Sequence, residues 1–188
     1  MKFKLWRHPF RMFRILHFVW KARKPSTVHD MPAVVDTFWL KSGYEALTFF
    51  GTILTHSQQD ADHMNRRFDK LKNHEMIHLK QAITTGDSWW HFYCRYLRFY
   101  LQGRRFRKQY TNAGYWLNPF EMEAYEHMHD LGYIEQCKDG ATGWKRFAAM
   151  TMEERRDYRT NRTNRTDRTN KTNRTNRTNR TNRTNKQA

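Results

Sequence analysis

The sequence predicts an α+β domain that is predominantly α-helical. Three observations lead there. Asp60–Thr84 contains neither Pro nor Gly and carries Met64, Phe68, Leu71, Ile77 and Leu79 as a helix would need them. Two later stretches read as helices closed by glycines, and a single run, Ala46–Thr55, has the Thr, Phe and Ile content of a strand.

The chain has 188 residues and a formal net charge of +17. That charge is not spread evenly. Residues 1–24 hold eight basic side chains and no acidic one, residues 159–188 hold ten basic side chains and one acidic, and residues 25–158 hold 17 of each. The body of the protein is therefore neutral, and its charge gives no reason to expect a nucleic-acid-binding domain; weak attraction of polyanions to the two ends is all that it supports. Three regions follow: a basic aromatic N-terminal segment, 1–24, one neutral central domain, 25–158, and a repeat tail, 159–188.

The N-terminal segment mixes bases with Phe, Trp, Leu and Ile. Arg11 and Arg14 interrupt its apolar stretch, which fits a cleavable signal peptide poorly. The longest uncharged run outside the tail, Ala46–Gln59, has 14 residues, whereas a membrane span takes about 20. Residues 10–20 are suited instead to the surface of a membrane, so the expected location is cytoplasmic with peripheral membrane contact through residues 1–24. Cys94 and Cys137 lie too far apart in sequence for a zinc-type pair, in keeping with a reducing compartment.

Within the domain, Ala33–Leu40 is a short apolar run of ambiguous type. Ala46–Thr55, interrupted by Gly51, reads as an edge strand or hairpin, and its Thr48–Leu54 portion as a strand able to hold an extended peptide. Asp60–Thr84 reads as one long helix stopped near Gly86. Trp89–Gln102 is an aromatic helix ending at Gly103, read as core cover with Arg95 and Arg98 pointing outward in preference to the alternative, a surface that sits with Arg104, Arg105, Arg107 and Lys108 against lipid headgroups. After the Asn118-Pro119 breaker, Phe120–Leu131 is a third helix closed by Gly132. The tail repeats Arg-Thr-Asn with a period of three and has no apolar residue before Ala188, so disorder is expected.

The chemistry is concentrated in His74-Glu75-Met76-Ile77-His78. Residues four apart share a helical face, so both imidazoles can reach one cation, while Glu75, one step round, can approach a water beside it. Zinc lowers the pKa of a water it binds from about 15.7 to about 7, and a neighbouring carboxylate then serves as general base. A hydrolytic zinc site also needs a third protein ligand and one open position. Glu121 and Glu123 both lie in the Asn118–Tyr125 stretch that could supply it.

These motifs resemble those of gluzincin-like metallopeptidases, in which H-E-x-x-H is followed on a later helix by a glutamate ligand in an E-x-x-A-D pattern. The resemblance spans roughly residues 44–135. It implies a zincin-like domain with Zn2+ held by His74, His78 and Glu121, Glu75 as the catalytic base, and a peptide or protein substrate. It also assigns Glu123 to a supporting role. The pattern's closing aspartate, which orients a ligating histidine, is Tyr125 here. Gln81 and Thr84 stand where the extended H-E-x-x-H-x-x-G-x-x-H motif needs Gly and His, which excludes that branch. His127 and Tyr125 are candidates for a supporting role at the site. The competing expectation is a non-catalytic zinc-binding or scaffolding protein at a membrane surface.

Overall fold

In a computed structural model of the chain, residues 9–36, 40 and 43–163 are described. The fold is α+β and mostly helical, as the sequence predicts. The sheet has three strands, β1 (Ala33–Val35), β2 (Ala46–Phe49) and β3 (Thr52–Thr55), in the order β1-β3-β2. β3 is central, parallel to β1 and antiparallel to β2, with Thr48 opposite Ile53. β1 occupies the start of the ambiguous Ala33–Leu40 run, whose residues 37–39 lie outside the described residues.

Ala46–Thr55 is thus a hairpin, one of the two readings open from the sequence, and the strand expected over Thr48–Leu54 is corrected: β3 is central, so of these two strands β2 alone lies at an edge of the sheet. The reason is local. Phe50 and Gly51 both have positive φ, 50° and 81°, as a two-residue hairpin turn requires. Phe50 is costly in that conformation. Tyr93 fixes it, for its hydroxyl accepts the Phe50 N–H and donates to the Thr48 carbonyl.

Among the described residues the helices are α1 (Pro9–Lys21), α2 (Gln58–Arg66), α3 (Lys70–Thr84), α4 (Trp89–Arg105), α5 (Ala113–Trp116), α6 (Pro119–His127), α7 (Tyr133–Gln136), α8 (Trp144–Ala149) and α9 over 152–163. The long helix expected over Asp60–Thr84 is two helices. Arg67 is extended, with φ −128° and ψ 135°, and Asp69 restarts the helix by accepting the N–H groups of Leu71 and Lys72. The break needs neither Pro nor Gly because a carboxylate at the N-cap satisfies the donors that a new helix end exposes. His63 accordingly sits on α2, where its Nε2 lies 3.0 Å from Asp69 Oδ2.

Two further boundaries differ from expectation. α4 runs through Gly103, whose missing side chain makes room for another helix: a Cβ there would stand 2.6 Å from the Ala113 carbonyl oxygen of α5. α6 ends at His127, four residues before Leu131, since Asn73 donates its amide to the carbonyls of His127, Met128 and Asp130 and so closes the helix from outside.

The disorder expected from Arg159 onward is corrected for its first five residues. Residues 159–163 belong to α9, which lies on α5 and α6. Arg155 is buried and donates to the carbonyls of Phe147, Leu117 and Ala148. The Arg159 guanidinium stacks on Trp116 and Tyr125 at 4.0 and 4.9 Å, and Arg162 donates to the carbonyls of Tyr125 and Glu126. Anchored guanidiniums, rather than apolar side chains, hold this helix down. The remainder of the tail, and residues 1–8 of the N-terminal segment, lie outside the described residues.

The core joins Ile53 of β3, Ile77 and Leu79 of α3, Phe92 of α4, Phe120 of α6 and Phe147 of α8, all almost fully buried. α3 runs through its middle. Residues 72–79 are buried without interruption, so polar side chains on every face of this helix must find partners inside the protein.

Candidate metal centre

α3 brings His74 and His78 to one face, with ring centroids 4.9 Å apart. α6 begins at Pro119 behind an Asn118 cap, which places Glu121 one turn in and opposite the histidines. His74 Nε2 stands 3.3 Å from Glu121 Oε2, and His78 Nε2 stands 3.6 Å from Glu121 Oε1. Ligands about 2.0–2.1 Å from one tetrahedral zinc stand about 3.3 Å from each other. The three side chains are buried, and a ligand atom from each lies within 4.8 Å of the other two.

Glu121 Oε2 and His74 Nδ1 are buried without a regular hydrogen bond. A carboxylate oxygen left so beside His74 Nε2, with the other oxygen of the same carboxylate facing His78 Nε2, fits a cation as its missing partner. Electrostatics agree. Burial would raise the Glu121 carboxyl pKa, but the imidazoles of His78 and His74 and the Tyr96 hydroxyl overcome it and hold it down to about 2. Burial would lower that of His74, and the adjacent Glu121, assisted by Glu75, holds it above the ordinary histidine value instead. The spot favours added positive charge, as a proton or as a metal ion.

Of the other residues singled out in the sequence, Glu75 is buried beside the cluster and accepts the Thr48 hydroxyl at 2.6 Å through Oε2. Glu123 points away from the histidines; Oε1 accepts from Tyr133 and from the Gly143 N–H, and Oε2 from Gln81. Tyr125 sets its ring against His74, centroids 4.6 Å apart, with its hydroxyl on Tyr115. Where the resembled pattern has an orienting carboxylate, this chain therefore offers a ring face. His127 stacks on Tyr133 at 3.8 Å and lies beside Glu126, and neither cavity at the centre is lined by it.

Sequence reasoning missed three functional neighbours. Tyr96, read as core, donates its hydroxyl to Glu121 Oε1 at 2.7 Å; burial, with the Glu121 charge adding, pushes its pKa well up, so it stays a donor. Thr48 carries no motif, though its place on the strand before the histidine-bearing helix was visible. Gln81 had the clearest signal, being three residues beyond His78 on the same helical face.

Two cavities meet at the cluster. One, of about 350 Å³, is walled by Leu40, Leu47, Phe49, Phe92, Tyr93 and Tyr100. The other, of about 420 Å³, includes Glu45, Lys70 and Asn112. Tyr44, Ala46, His74, Glu75 and Tyr115 line both, so the cluster sits where an apolar and a polar recess join. Searches against models of protein families, curated proteins and solved structures match none of them to this chain.

Proposed function

We propose that this chain is a zinc-dependent hydrolase acting on peptides, built on a zincin-like domain. The reading rests above all on the convergence of His74, His78 and Glu121 at ligand spacing where two cavities join. His74, His78 and Glu121 would hold the zinc, which when bound supplies an acidified water and a polarised substrate carbonyl.

The rest is work for the chain's own groups. Glu75, buried and held by Thr48, is the general base that takes a proton from the attacking water and returns it to the leaving amine. Tyr96 keeps Glu121 ionised and aimed at the histidines. β2 is the edge strand of the sheet beside the cluster, and a substrate backbone can pair there as an added strand. Part of that edge is already engaged, because the Thr48 carbonyl accepts from Tyr93. The apolar recess, walled mainly by Leu, Phe and Tyr side chains away from the cluster, favours an apolar side chain of the substrate.

A second reading is favoured by one observation. His74 Nδ1 lacks the orienting partner that Tyr125 fails to supply, and a metal site so built can serve structure or scaffolding alone. The Glu75→Gln variant separates the two. The peptidase reading expects purified protein with about one zinc per chain, cleavage of a mixed peptide substrate pool, and an E75Q protein that keeps zinc and fold but loses cleavage by about 10²-fold or more. Wild-type protein that holds zinc yet cleaves nothing establishes the scaffolding reading.

A further inference from the structure

We propose that α1 and α4 form a docking face for an anionic lipid surface. On α1, Phe13, Leu16 and Trp20 follow one another at i, i+3 and i+7 and so share a face, and they are 69%, 55% and 82% exposed. On α4, Trp90, Leu97 and Leu101 do the same at i, i+7 and i+11, half-exposed, with Arg98, Arg104 and Arg105 exposed on the same helix. Apolar side chains in such rows are what a soluble surface avoids.

The two helices are tied to the same hairpin turn. Phe18 of α1 packs edge-on against Phe49, Trp90 of α4 packs against Phe50, and Trp89 donates its indole N–H to the Arg23 carbonyl just beyond α1. The two helices therefore both lie against Phe49-Phe50-Gly51, each with an exposed apolar row. Neither helix contains a single Asp or Glu, although residues 25–158 as a whole are neutral.

Charge and shape together select the occupant. Bases without acids match an anionic surface, and exposed Trp with Leu between the bases matches the boundary between headgroups and acyl chains. A nucleic-acid strand would use the bases and the Trp rings, but it has no use for Leu16, Leu97 and Leu101, which cannot stack on a base. No helix among the described residues is long and apolar enough to cross a membrane, so contact through this face is interfacial. The inference is independent of hydrolysis.

The test uses the full chain and vesicles of phosphatidylcholine with or without phosphatidylglycerol, read by flotation. Two variants, Leu16→Gln with Trp20→Gln and Leu97→Gln with Leu101→Gln, leave every charge in place and change only exposed positions. Their circular dichroism melts serve as the check on folding. The proposal expects binding to the mixed vesicles and a partition coefficient lowered about tenfold or more by each double variant, since each removes two anchors from the interface. Absence of binding overturns it. Binding that both variants leave unchanged overturns it too, as that is attraction by the basic ends alone. A dimer in solution that the same variants dissolve would assign the face to a second copy of the chain, and binding of a single-stranded oligonucleotide lost in the variants would assign it to nucleic acid; either result overturns the lipid proposal.

Discussion

Gln81 Oε1 lies 2.8 Å from His78 Nδ1, and the rest of the Gln81 side chain fixes what that contact means. Its amide nitrogen donates to the Phe120 carbonyl and to Glu123 Oε2 at 2.9 and 2.7 Å, so Oε1 is the acceptor and His78 Nδ1 must carry the proton. The lone pair of His78 is thereby left on Nε2, the nitrogen that faces Glu121. Gln81→Leu removes this constraint. Zinc affinity measured by competition with a chromophoric chelator is expected to fall about 10- to 100-fold.

Thr48 acts on the other side of the centre. It donates to Glu75 and not to His74, His78 or Glu121, so on the proposed function Thr48→Val is expected to leave zinc affinity unchanged while slowing peptide cleavage about tenfold through a less well-aimed Glu75. Equal losses of zinc and turnover would count against that assignment.

Gly143 supplies an N–H to Glu123 Oε1 at 2.6 Å, and a Cβ at this position would stand 2.5 Å from the same oxygen. Its backbone is ordinary right-handed helix, with φ −59°, so only space forbids a side chain. Gly143→Ala is expected to destabilise the fold by about 1–3 kcal/mol in urea unfolding and, by disturbing Glu123 and Gln81, to weaken zinc binding as well.

Asp69 gives a pH dependence whose sign can be worked out. Burial alone would raise its pKa; the Lys72 N–H, His63 and the Leu71 N–H hold it below the ordinary aspartate value. A carboxyl lowered in the folded state contributes stability above its unfolded pKa, about 3.9, and loses it as pH falls through the folded value. Asp69→Ala is expected to cost about 1 kcal/mol at neutral pH. In thermal melts the gap from wild type should narrow below pH about 4.

α9 predicts where the chain can be shortened. Ending it after residue 163 keeps Arg155, Arg159 and Arg162, and the melting temperature is expected to hold. Ending it after residue 158 removes Arg159 and Arg162, strips Trp116 and Tyr125 of their stacked cation and exposes the end of α6. A melting temperature lower by several degrees is expected, as about 1 kcal/mol shifts it by about 2–8 °C in a domain of this size.

How far the sequence disclosed all this varies by residue. His74 and His78 were legible because their four-residue spacing is itself the geometry that chelation requires. The Phe50-Gly51 turn was half legible: Gly51 marked a break, but the Tyr93 hydroxyl that steadies Phe50 is 43 residues away and leaves no local trace. Asp69 was missed because its capping role depends on a chain reversal that composition does not reveal, and Gly103 was misread because packing against Ala113 and helix termination call for the same residue. Tyr96 could not be told from its aromatic neighbours on α4 without knowing which of them meets Glu121.

The triplets that compose the C-terminal end start inside the folded body, and the three-residue step between Arg159 and Arg162 is what sets both guanidiniums on the same side of α9. The first units, residues 159–163, are thus part of the architecture. Duplication or loss of later units, the commonest kind of change in a tandem array, would then alter the length and charge of the appended chain by fixed increments and leave the histidine pair undisturbed.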